Sequence, residues 1–350
     1  MEWTYGRIIF LVILIIIVYW YFKLNSILGD PSIFLKQDKS IFKFDPNATE
    51  FSMENAGFLC DASAKVYDTE DACKKWALIN GFDEDFYFMN SESYDNLSST
   101  TGFVATNADS ILVVFRGTNI NEILDTLTNG DTVLKTTWSG LSSIHQGFYR
   151  AFFKVWGQPF GEDKSIVFPD VLLNAGKRKI WMTGHSLGGA LAQICAAQTE
   201  WRGRIPVHSV YTFGQPRIGN EDFAKQMHDR MGDKIFRFIY DKDTVTRLGP
   251  FSMGYRHYGN SIVARGKDIT FHKSEIETSY SANDAYNNMM SNMKHLASFD
   301  KMMTTFSSVI PNGKTFKQLH PNQIIKAGHD PIIHHLIPTY LKFLRDYKKI

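Results

Sequence analysis

Lys177 to Gln198 reads KRKIWMTGHSLGGALAQICAAQ, and it constrains the fold more than any other stretch of the chain. Ile180-Trp181-Met182 is a short apolar run, the pattern of a strand buried on both faces. Leu187 to Ala197 is rich in Ala, Leu and Gln and holds no proline, which predicts a helix. Between them, Gly184-His185-Ser186-Leu187-Gly188 has to turn the chain sharply. A strand, a tight turn and a helix with serine at the apex make up a nucleophile elbow. The glycines at 184 and 188 let strand and helix pack closely. Ser186 is left in a strained, exposed position with its hydroxyl at the carboxyl end of the sheet. Behind it, the amino terminus of the helix turns unpaired N–H groups toward developing negative charge.

Other apolar runs extend the same architecture. Phe51 to Tyr67 reads as a helix, and Thr69 can cap a second one that runs to about Ile79, with Gly81 as its stop. Phe86 to Met89 and Thr101 to Ala105 are strand candidates. Ile111 to Phe115 is fully apolar, as a central strand would be, and ends in Arg116-Gly117-Thr118. A turn at the carboxyl end of a strand beside the nucleophile's strand is well placed to donate an N–H to an oxyanion; otherwise it is a simple strand exit. His145-Gln146-Gly147-Phe148 leads into an aromatic helix through Trp156. His208 to Phe213, Lys234 to Tyr240 and Tyr255 to Val263 are further strands, residues 266–320 read as polar and helical with long connections, and a last helix spans Pro338 to Lys348 with Ile337, Tyr340, Leu341 and Leu344 on its apolar side. Strands alternating with helices predict an α/β fold: a mainly parallel central sheet with helices on both faces and a site at the carboxyl ends of the strands.

In Asn119 to Thr132, Ile120, Ile123, Leu124 and Leu127 follow helical spacing, with polar residues on the other faces. Two readings stand level: a core-facing surface helix, or a lid that covers the site and opens onto lipid.

Ile8 to Phe22 is apolar and uncharged between Arg7 and Lys23, and ends in Tyr19-Trp20-Tyr21-Phe22. With Arg7 and Lys23 snorkelling, a span over residues 5–24 reaches the ~17–25 residues that a membrane helix needs. The aromatic end suits an interface, and no small-x-small cleavage site follows, so a signal-anchor is favoured over a cleaved signal peptide, which would leave the protein secreted. Lys36, Lys39 and Lys43 join Lys23 in placing the main domain in the cytosol, whereas the sequons at Asn47 and Asn96 suit a lumenal one. Residues 25–48 read as a linker and 49–350 as one α/β domain.

A serine hydroxyl is a weak nucleophile; it needs a histidine to take its proton and a carboxylate to orient that histidine. On this type of sheet the chain order is Ser, acid, His. Asp241 and Asp243 follow a strand after Ser186, and Asp243 lies in the loop proper. His185 leaves the turn in another direction, and His257 falls in a strand. His334 and His335 sit just before the last helix, and the residues alone do not choose between them.

At these positions the chain resembles the class 3 lipases, the family of the fungal triacylglycerol lipases. The matching pieces are VVFRGT at 113–118, IHQGF at 144–148, TGHSLGGALA at 183–192, YTFGQPRIGN at 211–220, YDKDTV at 240–245 and HLIPTY at 335–340. The resemblance implies an α/β-hydrolase fold, Ser186 as nucleophile, Asp243 as acid and His335 as base, because the family's histidine stands five residues before an aromatic, here Tyr340. His334 departs from the aspartate the family often carries there. The oxyanion hole would be the backbone N–H groups of Thr118 and Leu187, and His145 and His257 match motifs that are not catalytic. The activity implied is hydrolysis of lipid carboxylic esters through an acyl-enzyme, with acyl transfer to an alcohol or phospholipid cleavage as alternatives. The expected substrate is a lipid ester at a membrane or lipid surface.

A formal charge of +2 indicates no nucleic-acid footprint. Cysteines and histidines show no metal-ligand spacing, and no cofactor motif occurs. Cys195 reads as a small buried hydrophobe, while Cys60 and Cys73 read equally well as a pair or as two free thiols.

Overall fold

The computed structural model describes residues 38–91, 100–117, 134–136, 142–157, 159–160, 166–240, 243, 245–249, 251, 254–266, 268–277, 335 and 337–348. Its frame is an eight-stranded sheet whose strands lie side by side in chain order. They are β1 (Phe86–Asn90), β2 (Thr101–Thr106), β3 (Ser110–Phe115), β4 (Lys179–His185), β5 (Ser209–Phe213), β6 (Ile235–Tyr240), β7 (Asn260–Arg265) and β8 (Asp268–His272). Strands β3 to β7 pair in parallel, while β1–β2, β2–β3 and β7–β8 pair antiparallel at the two sides. This is the mainly parallel α/β sheet that the sequence predicts.

The helices are α1 (Met53–Lys65), α2 (Glu70–Ile79), α3 (Gln146–Trp156), α4 (Phe168–Leu173), α5 (Leu187–Ala197), α6 (Glu221–Met231) and α7 (Ile337–Lys348). The sheet is buried on both sides because its central strands carry apolar residues at successive positions. In β3, Ile111, Val113 and Phe115 face a core shared with α3, α4, α5 and α6, and Leu112 and Val114 face a second core shared with α1, α2 and α7. In β4, Ile180 and Met182 face the first core and Trp181 the second. Ser52 and Thr69 cap α1 and α2 by accepting from the N–H groups of Asn55 and Ala72.

Parts of the sequence reading need correction. Tyr255 to Val263 is not one strand: Tyr255–Arg256 pairs with Gly219–Asn220 in a small second sheet, and β7 starts at Asn260. Between them Gly259 has φ of 82°, which ends extended pairing. Residues 268–272, read as helical, form the edge strand β8, whose mixed polar pattern reflects its exposure. The stretch 38–48, read as the end of a linker, packs on the domain: Phe42 is buried, and the Phe44 ring stacks on Phe58 at 4.8 Å. No helix among the described residues is long and apolar enough to cross a membrane. The proposed anchor at 5–24, the 119–132 segment and most of 266–320 lie outside the described residues.

Candidate active site

The register of the parallel strands brings four carboxyl ends together. Phe115 of β3 is level with Gly184, His185 of β4 with Phe213, and Phe213 of β5 with Phe238 of β6. Ser186, just past β4, has φ of 60°, the left-handed side that L-residues avoid. Its N–H donates to the Phe213 carbonyl at 2.8 Å, and its own carbonyl accepts from Gly189 at 3.0 Å as α5 begins. A side chain at 188 would collide with the backbone at Phe115 and Arg116, so Gly188 is what allows α5 to lie this close to the end of β3.

His335 lies two residues ahead of α7. Its Nε2 is 2.8 Å from Ser186 Oγ, and its Nδ1 is 3.0 Å from both Oδ1 and Oδ2 of Asp243. A carboxylate accepts only, so Nδ1 carries the proton and Nε2 accepts from the serine hydroxyl. All three side chains are buried, so the turn is strained as predicted but Ser186 is not the exposed apex that the sequence suggests. Asp243 Oδ1 also takes the Val245 N–H at 2.9 Å, and Oδ2 takes the Tyr340 hydroxyl at 2.6 Å. Tyr340 in turn accepts the Tyr240 N–H at 3.1 Å, which ties the helix to the end of β6. Helix α7 is held against α1 by the buried Arg345–Asp61 ion pair at 2.9 Å, with Ser40 donating to the same carboxylate at 2.5 Å. The base therefore projects from an element fixed by packing and charge pairing.

The loop that carries Asp243 is braced from below. Thr246 Oγ1 donates to the Asp243 carbonyl, and His257 Nε2 donates to the Thr246 carbonyl at 2.7 Å. Arg217 donates to the Arg247 and Gly249 carbonyls and forms a two-pronged pair with Glu277, both contacts at 2.7 Å. Glu277 sits at about 2: burial works to raise it, and the Arg217 guanidinium, the nearby His257 and hydrogen bonds to both together outweigh that effect. Burial holds His257 well below the ordinary imidazole range.

Of the five predicted site residues, the structure brings Ser186, Asp243 and His335 into one contact chain. Leu187 is the first residue of α5, where a helix amino terminus offers N–H groups. Thr118, Asp241 and His334 lie outside the described residues. His145 caps α3, its Nδ1 accepting from the Gly147 and Phe148 N–H groups, and burial lowers it to about 4. His185 does leave the turn in another direction and meets Tyr67 and the His335 backbone. Sequence reasoning missed Tyr340 as a donor to the acid and Gly214 as the residue facing the acid–base pair. Tyr340 was visible only as an aromatic marker downstream of the histidine.

Among the described residues, no group of three or more His, Cys, Asp or Glu side chains is arranged to hold a metal ion. Cys60, Cys73 and Cys195 are free and buried. The Cys73 thiol donates to the Lys65 carbonyl, and burial pushes it to about 12, so it stays protonated.

A parallel sheet with a serine on a strained strand-to-helix turn, followed in the chain by an acid and then a histidine, defines an α/β-hydrolase-type protein. The family description "Lipase (class 3)" matches residues 112–253, which run from within β3 through the elbow and the acid loop. Over that stretch the chain is similar to the class 3 lipases. It is 32% identical over 177 residues to secreted mono- and diacylglycerol lipase 1 of Fusarium solani, covering 47% of this chain and 50% of that protein. It is 31% identical over 213 residues to a lipase of Rhizopus niveus, covering 58% of this chain and 52% of that one. The chain thus spans about half the length of these relatives. The solved lipase of Rhizopus microsporus var. chinensis superposes with a TM-score of 0.51 at 25% identity, over 67% of this chain and 82% of that chain.

Proposed function

We propose that this protein is a serine hydrolase that cleaves carboxylic esters of lipids, acylglycerols in the first place, through an acyl-enzyme. The observation that carries the reading is the continuous contact from Ser186 Oγ through His335 to Asp243. Names borne by its relatives, among them mono- and diacylglycerol lipase, support the substrate class.

His335 Nε2 takes the Ser186 proton as Oγ attacks the ester carbonyl. Asp243 keeps the proton on Nδ1 and stabilises the imidazolium that forms. The negative oxygen of the tetrahedral intermediate rests on the backbone N–H groups of Leu187 and Thr118, where one such donor is typically worth ~10²–10³ in turnover. His335 then gives its proton to the leaving alcohol. Water enters, is deprotonated by the same imidazole, and releases the fatty acid. In this reading residues 5–24 tether the domain to a membrane, with the α/β body beginning beyond the tether; cleavage of that segment would make the protein secreted, as the name of the Fusarium solani relative says of that protein.

Product analysis on mixed acylglycerol–phospholipid vesicles tests the reading, with the intact chain compared with Ser186→Ala. Free fatty acid from acylglycerol should appear, and the variant should lose about 10⁴-fold or more in turnover together with fluorophosphonate labelling. Labelling that persists in the variant rejects Ser186. Acyl groups passed to an added alcohol in preference to water would make the protein a transferase, and release from phospholipid alone would move the substrate class. Carbonate extraction of membranes, with amino-terminal sequencing of any released protein, decides between tether and secretion.

A further inference from the structure

The imidazole of His185, next to the elbow serine in the chain, takes no part in the contact chain above, yet it is buried against the base. Its ring centroid stands 4.7 Å from that of His335. Its Nε2 is 2.5 Å from the backbone carbonyl oxygen of His335, and its Nδ1 is 3.1 Å from the hydroxyl of Tyr67, just beyond α1. That hydroxyl also accepts the backbone N–H of Gly117, at the exit of β3. A side chain at 117 would run into the Tyr67 hydroxyl and come within 3.0 Å of Ser186 Cβ.

The polarity of this chain of bonds is forced. Burial, with His335 as the smaller cause, holds His185 well below the ordinary imidazole range, so the ring is neutral and has one N–H. The His335 carbonyl can only accept, so that hydrogen is on Nε2 and Nδ1 is an acceptor. Tyr67 has one hydrogen and gives it to Nδ1. Its oxygen is left to receive Gly117. Every donor then has one acceptor, and no member can reverse without leaving a buried group unpaired, at a cost of several-fold to a hundredfold in population.

We propose that Tyr67 and His185 are positioning residues that lock the backbone of the base to the exit of β3, a role that rests on the hydrolase reading of Ser186, Asp243 and His335. Three pieces of the site come from distant parts of the chain: the strand exit at 117, the elbow at 186 and the residue at 335. The relay touches all three. It fixes the carbonyl of His335, and through it the direction in which the ring leaves the backbone, while Asp243 fixes the ring's rotation from the other side. It also keeps an uncharged ring beside an imidazole that must become positive in the transition state, so the developing charge meets no like charge there.

The test combines a spectroscopic and a kinetic measurement on the full chain. Nitrogen-15 shifts of the His185 ring should report hydrogen on Nε2 and a hydrogen-bonded, unprotonated Nδ1. In ester hydrolysis, Tyr67→Phe should lower kcat about 10-fold with KM unchanged, since the hydroxyl is engaged by His185 and Gly117 and acts through the position of the base. His185→Phe should lose about 100-fold, and His185→Gln, whose amide can still donate to the His335 carbonyl, should recover most of that loss. A side chain needed only for packing would not show this recovery. Hydrogen on Nδ1 overturns the relay, as does a Gln variant no faster than the Phe variant or a Tyr67→Phe enzyme with unchanged kcat. If His185→Phe does not fold, the ring nitrogens of the unaltered chain and the Tyr67→Phe kinetics still decide. A protein with Nε2–H at His185 that never reacts with a fluorophosphonate sinks the hydrolase reading and with it the positioning role; a reactive protein with Nδ1–H sinks the relay alone.

Discussion

Gly214 presents a bare Cα to Asp243: a Cβ built there would stand 2.7 Å from Asp243 Oδ2, and 2.9 Å from the Nδ1 that the same carboxylate orients on His335. The residue follows β5 directly and has φ of 63°, and its N–H donates to the Phe238 carbonyl at 3.0 Å. The sheet end and the acid–base pair therefore share one small space, which a glycine leaves free.

Replacing Gly214 by alanine should strike activity harder than stability. The left-handed backbone alone costs an alanine roughly 1–2 kcal/mol. The added methyl also has to push the carboxylate or the imidazole out of line, and displacements near 1 Å cost on the order of 10²-fold in turnover. Steady-state hydrolysis and thermal melts of Gly214→Ala should show a kcat lower by about that factor with only a few degrees of Tm loss. Wild-type kcat in this variant would mean that the Asp243–His335 contact tolerates displacement and does not govern the rate.

Tyr340 tests the other side of the acid. Its hydroxyl gives a 2.6 Å hydrogen bond to Asp243 Oδ2 and accepts the Tyr240 N–H. Tyr340→Phe keeps the buried ring and removes both bonds, leaving the part-buried Tyr240 N–H without this acceptor. The stability cost should be about 1–3 kcal/mol by urea unfolding. The carboxylate loses one of its fixed donors, so kcat should fall roughly 10-fold while KM holds. A variant with reduced stability but full kcat would reduce Tyr340 to a packing residue.

Local pattern made the centre of this fold legible, and the site only in part. Strands β3 and β4 are apolar at their centres because both faces of the sheet are covered, so each was visible as a short continuous run, whereas β6, with Arg237 inside it, was visible by alternation. The elbow was visible because its glycines and serine occupy a strand-to-helix junction. Edge strand β8 has neither signal: solvent takes one side and its residues are mixed. The break at Gly259 comes from a backbone angle that no periodicity announces. Phe42 and Phe44 sit among lysines and aspartates, and only their contacts with α1 and Trp181 show that this stretch is packed. The acid–base assignment depends on contacts across 92 and 149 residues, and the bond between Tyr67 and His185 spans 118. Side chains that far apart leave no spacing to read, and the choice of His335 over His334 came from resemblance.

Stability should fall with acid well before the carboxylates titrate. His145, His185 and His257 are all held below the ordinary imidazole range by burial, His145 to about 4. In the unfolded chain each titrates near 6.5. Between 6.5 and the folded value the unfolded chain therefore binds more protons than the native one, so stability is lost as pH drops through 6.5 and the loss levels off below the folded value. The cost approaches about 1.4 kcal/mol per pH unit for each histidine in its window. Glu277 works in a separate, lower window: its carboxyl is held at about 2, so its contribution is present above 4.5 and lost only below it. His145 isolates one term. Its Nδ1 accepts two backbone N–H groups at the start of α3, and a proton there would break both bonds. Asparagine is a good helix cap that cannot protonate. Urea midpoints measured at pH 7, 6 and 5 should fall steadily for the unaltered chain, and the fall should be shallower for His145→Asn by about one proton's share. An equal slope in the two proteins would mean that His145 titrates as freely in the folded chain as in the unfolded one, against its burial and its capping bonds.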